Sequence, residues 1–65
     1  MKNNIKIQRT IKNLTQTDLA KMCDVSRQTI NAIENDRYDP TISLAFKLSK
    51  VLDVTVDQLF DPIEC

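Results

Sequence analysis

Four hydroxyl residues, each set just before a run of helix-forming residues, constrain this chain more than any other feature. Thr15 precedes Gln16–Cys23, Ser26 precedes Arg27–Asn35, Thr41 precedes Ile42–Leu52 and Thr55 precedes Val56–Phe60. A hydroxyl in that position accepts a hydrogen bond from an orphan N–H of the first helical turn, worth about 1 kcal/mol. Asp18 lies three residues after Thr15, and Gln58 three after Thr55, which is the reciprocal capping-box spacing. An N-terminal segment near Asn4–Asn13 completes a set of five predicted helices. The breaks between them are equally legible. Asn13-Leu14, Asp24-Val25 and Asp53-Val54 are short polar stops, and asparagine tolerates the left-handed backbone that a helix end often needs. The longest connection runs from Asn35 to Pro40, and Pro40 bars a helical conformation at Asp39. No alternating apolar run lies between turn residues, so strand signals are poor. The expected fold is all-α, a compact five-helix arrangement forming one domain over residues 1–65.

A 65-residue chain buries only a modest core and gains from a partner chain, a metal or a disulfide. The candidate core takes Ile5, Ile7, Ile11 and Leu14 from the first helix and its turn, then Leu19, Ala20, Cys23, Val25, Ile30 and Ile33. The later helices add Leu44, Ala45, Leu48, Leu52, Val56, Leu59 and Phe60. With two cysteines and no histidine, a zinc site is not expected. Cys23 reads as a small buried hydrophobe and Cys65 as a chain end, both reduced in a cytosol. No cofactor or metal is expected. Nucleophilic catalysis is not expected either, because Cys23 has no histidine to activate it and there is no glycine-rich loop. The chain shows no signal-peptide pattern and nothing near the roughly 20 apolar residues of a membrane span. A soluble, cytoplasmic protein is therefore expected.

Formal net charge is zero, but the charge is unevenly distributed. Residues 1–33 carry six bases (Lys2, Lys6, Arg9, Lys12, Lys21, Arg27) against Asp18 and Asp24, a net +4. Residues 34–65 carry three bases against seven acids, a net −4. Such polarity suits a molecule with one side toward phosphates and the other toward solvent or a partner.

Gln16 to Asn35 is the most informative stretch. Two short helices, about 16–23 and about 27–35, are joined by a tight turn. The small Ala20 permits a close crossing, and Val25 and Ile30 fill the angle, as a helix-turn-helix requires. At about 100° per residue, Ile30, Ile33 and Ser26 share one side of the second helix. The opposite side gathers Gln28, Asn31 and Asn35, flanked by Arg27 and Ala32. Amides can bond an adenine edge in two places, and arginine can do the same with guanine. A merely solvated face would favour Glu and Lys, although polar amides could equally face only water. Arg27, Gln28 and Asn31 lie in the first two turns, the part of a recognition helix that reaches bases.

Leu14-Thr-Gln-Thr-Asp-Leu-Ala20 and Val25-Ser-Arg-Gln-Thr-Ile-Asn-Ala-Ile-Glu34 resemble the signature of Cro/phage-repressor-type (Xre-like) transcriptional regulators. Arg37-Tyr-Asp-Pro-Thr41 and Leu44-Ala-Phe-Lys-Leu48 are also similar to small members of that family. The resemblance covers nearly the whole chain and implies a lambda-repressor-like DNA-binding fold. It implies base reading by Arg27, Gln28 and Asn31. It implies contact with the DNA backbone through Thr15, Gln16, Ser26, Thr29, Asn35, Arg37 and Tyr38. Thr15 is first of all a cap, Gln16 could be a plain helix former, and Tyr38 could pack beneath its loop. Arg9 and Glu34 match a structural ion pair joining the first helix to the third. Two positions depart from the pattern: Asp24 stands where glycine is frequent, and Gln8 where a leucine is frequent. The second departure bears on how the first helix packs.

One module of this size makes few contacts, so two copies on half-sites about 34 Å apart are expected. The expected partners are double-stranded operator DNA and a second copy of the chain, with no small-molecule ligand. Val54, Val56, Phe60 and Ile63 are the candidate dimer surface, with ordinary core as the other reading for Val56 and Phe60. The expected activity is transcriptional repression by occupying an operator. The alternative is a protein-binding module on the same fold, such as an antitoxin.

Overall fold

The helix ends explain how a chain without glycine folds this tightly. The computed structural model describes residues 2–61. Four non-glycine residues, Asn13, Asp24, Asp36 and Asp53, have φ between 57° and 59°. Each sits just past a helix and closes it in the same way. The N–H of the left-handed residue reaches back three residues, and the next N–H reaches back five: Asp24 to Lys21 O and Val25 to Ala20 O, Asp53 to Lys50 O and Val54 to Ser49 O. These are Schellman closures, which satisfy carbonyls the helix itself leaves open. Asn and Asp are the L-residues best able to take this backbone, because their short polar side chains bond locally. Asp53→Ala removes that adaptation. It is expected to destabilise the fold by about 1 kcal/mol, a loss of roughly 4–8 °C in Tm by calorimetry, whereas Asp53→Gly is expected to be neutral or stabilising.

Between these stops run α1 (Ile5–Ile11), α2 (Gln16–Cys23), α3 (Arg27–Glu34), α4 (Ile42–Leu52) and α5 (Val56–Leu59). The four hydroxyls cap the helices they precede. Thr15, Ser26, Thr41 and Thr55 accept from the backbone N–H of Asp18, Thr29, Leu44 and Gln58, and the boxes at Thr15 and Thr55 are both reciprocal. In the first box, hydrogen bonds from the Thr15 backbone and then its hydroxyl hold the Asp18 carboxyl below its ordinary pKa.

The buried core is Ile5, Leu19, Ala20, Cys23, Ile30, Ile33, Leu44, Leu48, Leu52, Leu59 and Phe60. Leu14, Val25, Ala45, Val51, Val54 and Val56 pack around it. α2 lies against both α3 and α4, and α4 against α5. Among the described residues, no helix is long and apolar enough to cross a membrane.

Two expectations need correction, and one gains an addition. First, α1 is shorter than residues 4–13, and only Ile5 enters the core; Ile7 and Ile11 are 59 % and 65 % exposed. In a helix, residues two and six positions after Ile5 point to the opposite side, so one seven-residue helix cannot bury all three. Second, the five-helix fold is as expected, with a two-stranded antiparallel ladder added to it. β1 (Lys2–Asn3) pairs with β2 (Phe60–Asp61), Asn3 opposite Phe60. The adjoining Asn4 N–H bonds Leu59 O at 2.8 Å, so the two ends of the described chain are sewn together. Third, Phe60 is 4 % exposed and belongs to the core of its own chain. It offers no surface to a partner, which corrects its expected place in a dimer interface. Ile63, the other terminal candidate, lies outside the described residues.

Candidate nucleic-acid interface

α3 is seated by its inner side and open on its outer side. Ile30 and Ile33 are 0 % and 1 % exposed, which fixes the helix's rotation about its axis. Arg27, Gln28, Asn31 and Asn35 are exposed, and Thr29 and Ala32 are half-buried at the margins. Among the described residues, the side chains of Arg27, Gln28 and Asn31 make no hydrogen bond. Asn35 is different: its amide Nδ2 donates back to Asn31 O at 2.8 Å. Ser26 and Thr29 are also engaged locally. Their hydroxyls lie 3.0 Å apart, and Ser26 Oγ accepts the Thr29 N–H. The open side therefore presents one guanidinium and two amides over the first two turns, with no carboxylate among them.

A largely buried polar cluster, of residues each half-buried as a whole, fixes the far end of α3. Glu34, whose side chain is 4 % exposed, accepts from Arg9 Nε at 2.8 Å and Arg9 Nη2 at 3.2 Å. Arg9 Nη1 in turn donates to Leu14 O at 3.0 Å. Gln16 Nε2 donates to Glu34 Oε1 at 3.0 Å. Together Glu34 and Arg9 thus join α1, the turn after it, the start of α2 and the end of α3. Two parallel bonds from an arginine fork add direction as well as strength. Gln16, expected to face a phosphate, is half-buried and spends at least one donor on this cluster.

Arg37 and Tyr38 are exposed on the loop after α3. Their direction is set by the left-handed Asp36, and by the Arg37 N–H, which bonds Ala32 O at 2.9 Å. Thr15 is exposed at the head of α2, its backbone N–H and hydroxyl both committed to Asp18. Cys23 is fully buried, and burial pushes its thiol pKa up, so it stays protonated and unreactive near neutral pH.

The helix-turn-helix family model matches residues 5–59. The chain belongs to this family of Cro/phage-repressor-type regulators. It is 53 % identical over 60 residues to an HTH-type transcriptional regulator of Methanocaldococcus jannaschii, covering 92 % of this chain and 91 % of that relative. It is similar to the N-terminal DNA-binding domain of SinR from Bacillus subtilis: 32 % identity, TM-score 0.77, 92 % of this chain and 90 % of the domain. It also resembles a chain of the SinR–SinI complex, with 34 % identity and TM-score 0.81 over 89 % of its length. It spans only 57 % of that chain. This helix-turn-helix regulator is thus a DNA-binding transcriptional regulator and not an enzyme.

Two features of the regulator lie outside the site residues expected from its sequence. One is an apolar strip on α4, with Ile42 77 % and Phe46 60 % exposed. They are four residues apart and turned away from Leu44 and Leu48, so a helical wheel of α4 would have shown them. The other is Asn3, which sits in β1 and donates to the last turn of α3. No local pattern signals a contact across 30 residues.

Proposed function

We propose that this single-domain regulator represses transcription in the cytoplasm by occupying a two-fold operator as a homodimer. The observation that carries this reading is the outer side of α3, where Arg27, Gln28 and Asn31 stand exposed over a helix locked from behind by Ile30 and Ile33. Laid in a major groove, these three read base edges through bidentate amide and guanidinium bonds. The DNA backbone is held from both sides of that helix. At the head of α2, the first-turn N–H groups of Gln16 and Thr17 have no helical acceptor and favour a phosphate oxygen, with Thr15 and the free part of the Gln16 amide beside them. Ser26, Thr29 and Asn35 border the groove, and Arg37 and Tyr38 reach the strand on the far side.

The dimer surface is the α4–α5 face. Val54 and Val56, half-buried, line an open groove with Phe46, and Lys50 and Asp57 lie along the same groove. A two-fold contact places the same patch against itself. Lys50 of one copy then meets Asp57 of the other around apolar Phe46. Phe46, exposed on that groove, takes the anchoring place expected of Phe60.

Selection of bound sequences from random DNA, with the mass of each complex measured in parallel, tests the proposal. The expected result is an inverted repeat with half-sites about 34 Å apart, bound by two chains. A site without two-fold symmetry held by one chain would overturn the dimer. On the selected site, Arg37→Ala is expected to weaken all sequences alike. It should also flatten the plot of log affinity against log salt by about two units, since each chain of the dimer loses one phosphate contact and the counterion it releases.

A further inference from the structure

Asn3 spends its side-chain amide on two elements that the sequence keeps far apart. Its Oδ1 accepts the Ile5 N–H at 3.1 Å and so starts α1, a task the neighbouring Asn4 side chain does not perform. Its Nδ2 donates to Ile33 O at 2.8 Å and lies 3.5 Å from Asp36 Oδ1. Ile33 O belongs to the last turn of α3 and also accepts the Asp36 N–H at 3.1 Å. Asp36 is the left-handed residue that turns the chain toward Arg37. On its other side Asn3 is anchored. It pairs with Phe60 in the ladder, Asn4 N–H holds Leu59 O, and Asn4 Nδ2 holds Gln58 O at 3.1 Å. A continuous path of hydrogen bonds therefore runs from α5 and β2, through β1 and the Asn3 amide, to the point where the chain leaves the recognition helix.

We propose that Asn3 is a positioning residue for DNA binding: it fixes the direction in which the loop bearing Arg37 leaves α3. Ile30 and Ile33 set the rotation of α3, but neither constrains the loop beyond Asp36. The Schellman closure does so from within, and the Asn3 amide does so from outside, on the same carbonyl. The proposal rests on the reading of Arg37 as a phosphate contact.

The test uses Asn3→Ser in the full chain. A serine hydroxyl can still accept the Ile5 N–H, because Ser mimics the Asn turn at this spacing, but it is too short to donate to Ile33 O. The substitution is neutral, so no added charge disturbs the salt dependence. Thermal unfolding first fixes a temperature at which both proteins are fully folded. In the free protein, amide hydrogen exchange is expected to quicken at Asp36 and Arg37 and to stay unchanged at Ile30. On DNA, Asn3→Ser should flatten the salt slope by about two units, one for each chain of the dimer, and leave the base preferences of α3 intact. Adding Arg37→Ala to it should change the slope no further, the non-additivity of two residues acting through one contact. Unchanged exchange at Asp36 and Arg37 overturns the proposal, even if the variant is less stable. Additive effects of the two substitutions overturn it while leaving the Arg37 reading intact. A slope untouched by Arg37→Ala alone overturns both.

Discussion

Glu34→Ala is expected to destabilise this regulator by about 3 kcal/mol, enough to leave a large unfolded fraction at room temperature. Glu34 is almost fully buried and accepts three donors, two from Arg9 and one from Gln16. Removing it strands a guanidinium whose side chain is only 14 % exposed. Breaking a buried pair from one side typically costs about 3–5 kcal/mol, because the surviving charge is desolvated without compensation. Arg9 keeps its bond to Leu14 O and a little solvent, which places the effect at the lower end. A domain of this size has about 3–5 kcal/mol from its core in total, so the loss is close to the whole margin. Urea unfolding followed by circular dichroism measures it. Replacing both partners by apolar residues, Arg9→Met with Glu34→Leu, should recover most of the stability, since a buried pair is often matched by well-packed hydrophobes. A loss below about 1 kcal/mol for Glu34→Ala would mean that the cluster behaves as a solvated surface pair.

That cluster marks the boundary of what could be read from the sequence. The helix starts were legible because a capping hydroxyl and the N–H that donates to it lie three residues apart. Thr15, Ser26, Thr41 and Thr55 each cap the helix that follows. The rotation of α3 was legible for the same local reason: Ile30 and Ile33 bury, and Gln28 and Asn31 face out. The packing of α1 was not, because Ile5, Ile7 and Ile11 are equally apolar and only the contact with the rest of the fold selects Ile5. The β1–β2 ladder joins residues at opposite ends of the chain, and two-residue strands leave no alternation to detect. Phe60 shows the same limit. An aromatic residue after the last helix suits a core or a partner equally well by pattern, and burial against its own chain decides. At the candidate site, the outward set was readable from periodicity. The second duties of Gln16 and Asn35, one on Glu34 and one on Asn31 O, depend on where neighbouring atoms lie.

Gln28→Ala is the substitution expected to change what the regulator recognises while leaving its fold intact. Gln28 is exposed in the first turn of α3, contributes nothing to the core, and makes no side-chain hydrogen bond among the described residues. Its loss should therefore leave the unfolding curve unchanged. On DNA, a glutamine amide donates to one atom of an adenine edge and accepts from another, and such a pair discriminates by about 1–3 kcal/mol. A dimer on a two-fold site makes the contact twice. Well-separated positions are roughly additive, so the selected operator should lose about 2–6 kcal/mol in all. The measurement is a gel-shift series over operators altered one symmetric base pair at a time. Wild type should penalise changes at the Gln28 position, and the variant should tolerate every base there while keeping its preferences at positions read by Arg27 and Asn31. Its salt slope should stay the same, because no phosphate contact has gone. That separates it from Arg37→Ala, which lowers the slope and leaves the preferences untouched. A uniform loss of affinity with an unaltered preference profile would show that Gln28 grips the backbone. Base reading would then fall to Arg27 and Asn31, and α3 would have to enter the groove rotated from the orientation proposed for it.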